Sequence, residues 1–542
     1  MSRTIDAITL EVLRHAFVAV AEEMNANLIR TAYSPNIKER RDCSSALFDA
    51  AGELVAQAES IPVHLGAMPY SVAAAIRGAG RFSPGDVVVV NDPYAGGAHL
   101  PDVTFVAPVF DGGDLVAFVA NRAHHADVGG KEPGSLAGDA VEIYQEGLRI
   151  PPVRLWRAGT VDGDLLSLIL ANVRTPQERL GDLRAQYAGC RVGAERVQTL
   201  VVRWGRDKLA AGMEEIKAYS ERRMRAEIRR LPAGPFSFED ALDDDGVSDT
   251  SFTIRVAVSV RGDRLVVDFT GSSRQAAGPI NAVFAVTASA AYYAVRAATD
   301  PTIPPNAGSY RPIEIVAPAG TVVNPLPPAA VVGGNLETSQ RIVDVVLGAL
   351  AEARPERAIA ACQGTMNNLA IGGVDPRSGG PYTLYETIAG GVGARPNKDG
   401  VDGVHSHMTN TLNTPIEALE TAYPLRVRCY ELIEGSGGDG EYRGGMGIRR
   451  DIEAVGHSAR VSLLTDRRKR APYGIRGGRP GAVGHNVRIR CDGSEEELPG
   501  KGSVVLASGE VVSLRTPGGG GCGDPKERSA ERRERDLREG RA

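Results

Sequence analysis

The chain has 542 residues, with 62 basic and 67 acidic side chains, a net charge of −5 and six cysteines. That length is ample for several domains and excludes a peptide-like or disulfide-stapled scaffold. The near-balanced charge gives no basic face for nucleic acid. The scattered Cys43, Cys190, Cys362, Cys429, Cys491 and Cys522, without a CxxC pair, exclude a zinc ribbon and fit a reducing cytoplasm.

The opening MSRTIDAITLEVLRHAF lacks the unbroken apolar stretch of a secretory signal. Leu10, Leu13, Phe17, Val20, Met24 and Leu28 recur every three or four residues and predict a helix ending near Tyr33-Ser34-Pro35. From 46 to 118, short apolar runs between Gly, Pro and Asp predict buried strands at 87–90, 103–109 and 115–119. A helical block follows over 165–231, closed by Leu231-Pro232-Ala233-Gly234-Pro235, a candidate domain boundary. Ile254, Val256, Val258 and Val260, then Leu265, Val267 and Phe269, alternate with polar residues around a Gly262-Asp263 turn and predict a hairpin. The region 282–353 returns to helix-forming sequence. Its apolar stretch 282–295 is too short for a bilayer and reads as a core helix. Short strands with Gly turns resume over 424–516, and the mixed-charge end after Lys526 reads as a frayed helix or solvated tail. These elements predict a large, multi-domain mixed α/β (α+β) fold. Its parts are an N-terminal α/β domain with the helical block (1–235), a central α/β domain (236–423), a β-rich module (424–525) and a charged tail (526–542).

The densest polar constellation is Asn91-Asp92-Pro93-Tyr94-Ala95-Gly96-Gly97-Ala98-His99-Leu100-Pro101-Asp102, followed by Asn121-Arg122-Ala123-His124-His125-Ala126-Asp127. With His64, these segments account for His99, His124 and His125 among the chain's nine histidines. If the flanking apolar runs are neighbouring strands, Asp92, His99, Asp102 and His124 lie where separate segments converge. His-x-x-Asp with a later His is a three-ligand pattern that leaves coordination positions open, and its mixed donors suit Zn²⁺, Mn²⁺ or Fe²⁺. Such an ion polarises a carbonyl or acidifies a water. The competing reading makes His99 and Asp102 turn residues, with only one of His124 and His125 pointing inward. Other clusters have bland alternatives. Residues 36–43 read as a solvated ion-pair face, Cys43 as a buried structural thiol, and His405 and His407 as a ligand pair or a hydrogen-bonded loop. Gly364-Thr365-Met366-Asn367-Asn368 is a further polar cluster. The glycine-rich segments 434–440 and 516–523 lack the Lys-Ser/Thr of a phosphate loop and are expected to be turns.

The segments NDPYAGGAHLPDVTFVAPVF, NRAHHADVGG, IYQEGLRIPPV, ANVRTPQERLGDLRAQ, NLETSQRIVDVVLGAL, HSHMTNTLNTP and TPGGGGCGDP, in this order, resemble the hydantoinase B/oxoprolinase family over nearly the whole chain. The resemblance implies the B-type subunit of an ATP-dependent cyclic-amide hydrolase acting on hydantoin-like or 5-oxoproline-like substrates. ATP would be handled by a hydantoinase A-type partner in a hetero-oligomer. It implies a divalent metal on His99, Asp102 and His124, and His125 or Asp127 is expected to orient or deprotonate the water. Two alternatives remain open: a subunit of a ketone carboxylase of the acetone or acetophenone type, and a non-catalytic scaffold for the A-type subunit. Cys43 stands where relatives carry an aromatic residue, which weakens any role for that side chain and leaves Asp42 a candidate. No membrane or nucleic-acid partner is expected.

Overall fold

The structure is a computed structural model that describes residues 5–58 and 60–541. The first helix, α1 (Ala7–Thr31), is capped by Asp6 and buries Leu13, Phe17, Val20, Met24 and Leu28, the expected stripe. Strands β1 (Cys43–Asp49) and β2 (Leu54–Gln57) precede α2 (Pro62–Ala79). After α2 come β3 (Val87–Val90), β4 (Asp102–Asp111), β5 (Asp114–His124), β6 (Val153–Arg157) and β7 (Thr160–Val161). They form one seven-stranded sheet in the order β2-β1-β5-β4-β3-β6-β7, every pair antiparallel.

Both faces of this sheet are covered, so successive residues of a strand enter different cores. Phe105 and Val119 join the core under α1 and α3 (Pro176–Trp204). Val106 and Phe118 pack instead with Met68 and Val72 of α2. The helix α2 falls inside a region expected to be strands. Pro62 and Pro69 resemble turn punctuation, yet Pro62 occupies the first turn, where its missing N–H costs nothing. Met68, Val72 and Ala75 keep one helical face, while Val63 and Ala67 enter the other core.

The expected helical block forms α3 and α4 (Arg206–Ile228). The predicted hairpin lies inside a four-stranded sheet of β8 (Phe236–Leu242), β9 (Phe252–Arg261), β10 (Arg264–Asp268) and β11 (Ile313–Val316). The stretch expected to be a core helix is α5 (Phe284–Ala298), buried beside α2, and α6 (Ser339–Ala353) follows. Among the described residues, no helix is long and apolar enough to cross a membrane. Two further antiparallel sheets complete the chain. One runs Pro381–Thr387, Asn368–Val374, Ala459–Leu464, Lys501–Leu506, and so joins strands from either side of residue 424. The largest core is continuous from Leu13 to Leu464.

Of the two readings of the charged end, helix or tail, a helix is present. Its helix Ala530–Arg538 is docked through Arg528, which pairs with Asp536 at 2.6 Å and Asp399 at 2.8 Å. The glycine-rich segments are only partly turns. Gly435 and Gly523 have positive φ, but 518–521 run as backbone packed on backbone: Gly519 N–H donates to Gly445 O at 2.9 Å, and Gly438 N–H to Gly519 O at 2.8 Å. A Cβ on Gly444 would stand 1.9 Å from Gly519 O, where only backbone could yield. Gly444→Ala is therefore expected to lower the melting temperature, an overpacking cost of about 1–3 kcal/mol. Gly380→Ala, whose Cβ would meet only Ser378 Oγ at 3.6 Å, is expected to leave it unchanged. Thermal unfolding followed by circular dichroism compares the two.

Candidate metal centre

The loop before β4 is built around Asn91, whose side chain donates to Leu100 O and Leu148 O and accepts from Ile150 N–H. Asp92 caps the short turn Pro93–Ala95. These contacts deliver His99 to the head of β4, where Asp102 is the first residue. The antiparallel register sets Asp102 directly opposite His124, the last residue of β5. On its other side β5 pairs with β1, and His124 N–H donates to Asp42 O at 3.0 Å.

The result is a buried convergence on one atom. Asp102 Oδ1 lies 3.2 Å from His99 Nε2, 3.3 Å from His124 Nδ1 and 3.2 Å from His64 Nε2. The donor atoms of His99, Asp102 and His124 all lie within 4.8 Å of one another. Asp102 and His99 are fully buried. Despite these neighbours, Asp102 Oδ1 has no properly directed hydrogen-bond partner among the described residues, and neither has His124 Nε2, the ring nitrogen other than the one that faces Asp102. Buried polar atoms left in this state are costly, and lone pairs aimed at a common point are what a cation satisfies. With the His99 Nδ1 proton directed at Val332 O, 3.4 Å away, Nε2 presents a lone pair to the centre. Burial lowers the His124 pKa, which keeps that ring neutral and able to ligate. Burial opposes ionisation of Asp102, but His99 and His64 hold its carboxyl well below the usual carboxylate range. Two nitrogens and a carboxylate, with a third imidazole in reach, make a donor set that could hold Zn²⁺, Mn²⁺ or Fe²⁺.

A second layer fixes these rings. Ser44 Oγ sits 3.1 Å from His64 Nδ1 and leaves Nε2 facing Asp102 and, at 4.0 Å, Asp42. Tyr385 stacks on His124 at 4.5 Å, and its hydroxyl donates to Asn368 Oδ1. Asn335, in a π-helical segment (Gly334–Thr338), reaches His99 Nε2 at 3.3 Å; π-helical turns recur at functional sites. Glu146 accepts from Val331 and Val332 N–H and thereby fixes the carbonyl that faces His99.

His125 and Asp127, the expected water-activating residues, are committed elsewhere. Neighbouring side chains on a strand end point apart, so His125 turns from His124 toward α3, where its Nε2 meets Gln186 Oε1 at 2.8 Å. Burial and the Arg179 charge push its pKa down to about 4. The Asp127 carboxylate accepts from Gly129, Gly134 and Arg174 N–H and pairs with the Arg174 guanidinium at 2.8 Å, so it staples a loop. Cys43 is fully buried beside Ala123, and burial raises its thiol pKa. The residue missed as a neighbour of the centre is His64, on α2. A second carboxylate group, Asp49, Glu53 and Glu214, encloses the Lys217 ammonium at 2.5–2.8 Å, which supplies its countercharge.

The family model described as Hydantoinase B/oxoprolinase matches residues 6–525. The chain belongs to this family. It is 43% identical over 97% of its length to an uncharacterized protein of Methanocaldococcus jannaschii, covering 92% of that protein. It is 35% identical over 98% of its length to a Pseudomonas protein described as the B-type subunit of a D-/L-hydantoinase, again covering 92%. 5-Oxoprolinase 1 of Arabidopsis thaliana is 38% identical over 96% of the chain, which spans only 42% of that longer protein. The crystal structure of an ATP-dependent caprolactamase from Pseudomonas jessenii superposes with a TM-score of 0.92 at 33% identity, covering 99% of this chain and 95% of that one.

Glu146 offers a check on the shell around His99. Burial pushes its pKa up to about 8, against the two backbone N–H donors that lower it. The folded chain therefore keeps a proton that the unfolded chain releases near the ordinary glutamate value. Stability must then fall as pH rises from that value through about 8, by about 1.4 kcal/mol per pH unit. Glu146→Gln is expected to flatten this slope between pH 6 and 8 in urea unfolding. Equal slopes in the two proteins would refute the assignment.

Proposed function

We propose that this chain is the B-type subunit of an ATP-dependent cyclic-amide hydrolase of hydantoin-like or 5-oxoproline-like substrates. In this reading it works in the cytoplasm with an A-type, ATP-binding partner in a hetero-oligomer. The observation that carries the reading is the buried convergence of His99, Asp102 and His124, with Asp102 Oδ1 unsatisfied among the described residues, in a chain of this family. A relative of similar length described as part of a hydantoinase, and the likeness to a caprolactamase, support the substrate class. A separate partner is supported by the greater length of the 5-oxoprolinase, of which this chain spans 42%.

In this reading the partner transfers the γ-phosphoryl group of ATP to the amide oxygen, making the ring carbon a better electrophile. His99, Asp102 and His124 would hold a divalent ion, and that ion would supply Lewis acidity and lower the pKa of a water there. His64 takes the proton-holding role expected of His125 or Asp127. Its Nε2 faces the centre at 3.2 Å from Asp102, and Ser44 fixes the ring through Nδ1. Water adds to the activated carbon, the ring C–N bond breaks as the nitrogen takes up a proton, and a second water releases phosphate from the resulting acyl phosphate to leave the open-chain carboxylate. The enclosed setting keeps bulk water from the activated carbon.

The test is reconstitution of the full chain with an A-type subunit, following ATP-dependent ring opening of 5-oxoproline and hydantoins together with metal content. His99→Ala and His124→Ala are expected to lose bound metal and at least ~100-fold in activity. Product formation that requires bicarbonate would instead favour a ketone carboxylase. A metal-free wild type with fully active variants would leave the chain a scaffold.

A further inference from the structure

A cavity of about 410 Å³, none of whose walls belongs to the metal centre, is lined by Cys362, His405, Ser406, His407, Arg357 and Arg395. At its wall His407 Nε2 lies 3.5 Å from Asp344 Oδ1. Cys362 is close enough to the same ring to interact with it, and Gly393 N–H donates to Cys362 Sγ at 3.4 Å. A thiol, an imidazole and a carboxylate in this order are the parts of a nucleophilic site. The base neighbours the nucleophile, the carboxylate orients the base, and a backbone donor faces the sulfur.

Three observations point to a ligand rather than to packing. Ser406, 6% exposed, lines the cavity, and its hydroxyl has no hydrogen-bond partner among the described residues. Arg357 and Arg395 are exposed at the cavity, and among the described residues neither guanidinium pairs with a carboxylate; the one acidic residue of the lining, Glu356, is paired with Arg354 at 3.1 Å, so the unpaired charge at the entrance is positive and favours an anion. His407 is held at φ +54°, in the left-handed region uncommon for a residue other than glycine.

We propose that Cys362, His407 and Asp344 form a second reactive centre, with Cys362 the nucleophile and a small anionic, activated acyl compound such as an acyl phosphate the ligand. Burial disfavours the His407 imidazolium, but Cys362 and the Asp344 carboxylate hold its pKa well above the ordinary histidine value. His407, beside the thiol and held by Asp344, is placed to take the thiol proton. Sγ forms a bond to the acyl carbon, the bond from that carbon to the leaving oxygen breaks, and His407 gives its proton to that oxygen. Water then attacks the thioester carbon and passes one proton to His407. The C–S bond breaks, and the thiolate–imidazolium pair and a carboxylic acid result. Oxidation states do not change, and water is the co-reactant.

The test uses the full chain alone, without partner or ATP, so its outcome does not depend on the cyclic-amide reading. The native protein is treated with iodoacetate or iodoacetamide from pH 5 to 9, and each cysteine is followed by peptide mass spectrometry. The exposed Cys491 serves as the internal reference. The groups that set the profile are His407 and, around it, Asp344, Tyr293 and His405. Arg341 and Arg467 lie against Asp344. Cys362 is expected to react with iodoacetate at pH 6 at least ~10-fold faster than Cys491, because the neighbouring His407 imidazole is placed to take its proton. It is also expected to react faster with iodoacetate than with iodoacetamide. Arg395→Ala at the exposed entrance is expected to erase that preference for the anion, and His407→Asn to return the pH profile to that of an ordinary thiol. A Cys362 that reacts no faster than Cys491 at pH 6, or that shows no preference for iodoacetate, would overturn the proposal.

Discussion

The structure turns on one carboxylate oxygen. Asp102 Oδ1 is buried among three imidazole nitrogens at 3.2–3.3 Å, a position no isolated carboxylate would occupy in an apolar interior. Holding it there needs a rigid frame, and the antiparallel pairing of β4 with β5 provides one. A slip of one residue would turn Asp102 and His124 to opposite faces. Covering the sheet on both sides with α1, α3 and α2 makes such a slip prohibitive, since it would exchange the two sets of core residues.

The walls of the centre come from distant parts of the chain, and buried arginines tie them to the sheet. Arg40, fully buried, donates to Tyr385 O at 3.0 Å, Thr387 Oγ1 at 2.6 Å and Thr411 Oγ1 at 3.2 Å. Tyr385 is thereby set flat on His124. Arg341 and Arg467 do the same for α6, through Asp240, Asp344 and Asp466. Removing one partner from such a network strands a buried charge, so these contacts fix position more than they add stability.

His99, Asp102 and His124 were legible because they sit in short polar runs between unmistakable strands, where sequence spacing and strand pairing agree. His64 lay beyond that logic. It belongs to α2, whose prolines imitate turn signals, and its approach to Asp102 depends on how a helix crosses a sheet, which local pattern does not encode. Asn335 and Tyr385 were hidden for the same reason: both reach the centre through tertiary packing from more than two hundred residues away in the chain. Adjacent positions misled in the opposite sense. His125 and Asp127 share the motif of His124, but strand alternation and the demands of the loop after β5 send them to Gln186 and Arg174. The helix at the charged end was legible from its composition, but its docking was not, since Arg528 finds Asp399 only in the folded chain.

The glycine excess acquires a specific meaning from the same geometry. Gly520 N–H donates to Ala361 O, Gln363 N–H to Gly391 O and Ala394 N–H to Gly520 O, all within 2.8–2.9 Å, so backbone layers bracket Cys362 on both sides along the chain. Because no Cβ fits between these layers, the Gly393 N–H is held against Sγ by main chain alone and does not depend on a side-chain rotamer. The segment carrying His405, Ser406 and His407 continues from this cavity to the metal centre. Gln340 Nε2 donates to Ser406 O, Met408 O accepts from Val63 N–H beside His64, and Thr411 accepts from Arg40. A displacement at the cavity would have to pass through this short stretch to reach His64. The two sites are thus joined by one continuous length of backbone, and the glycine layers leave it little freedom to move independently of either.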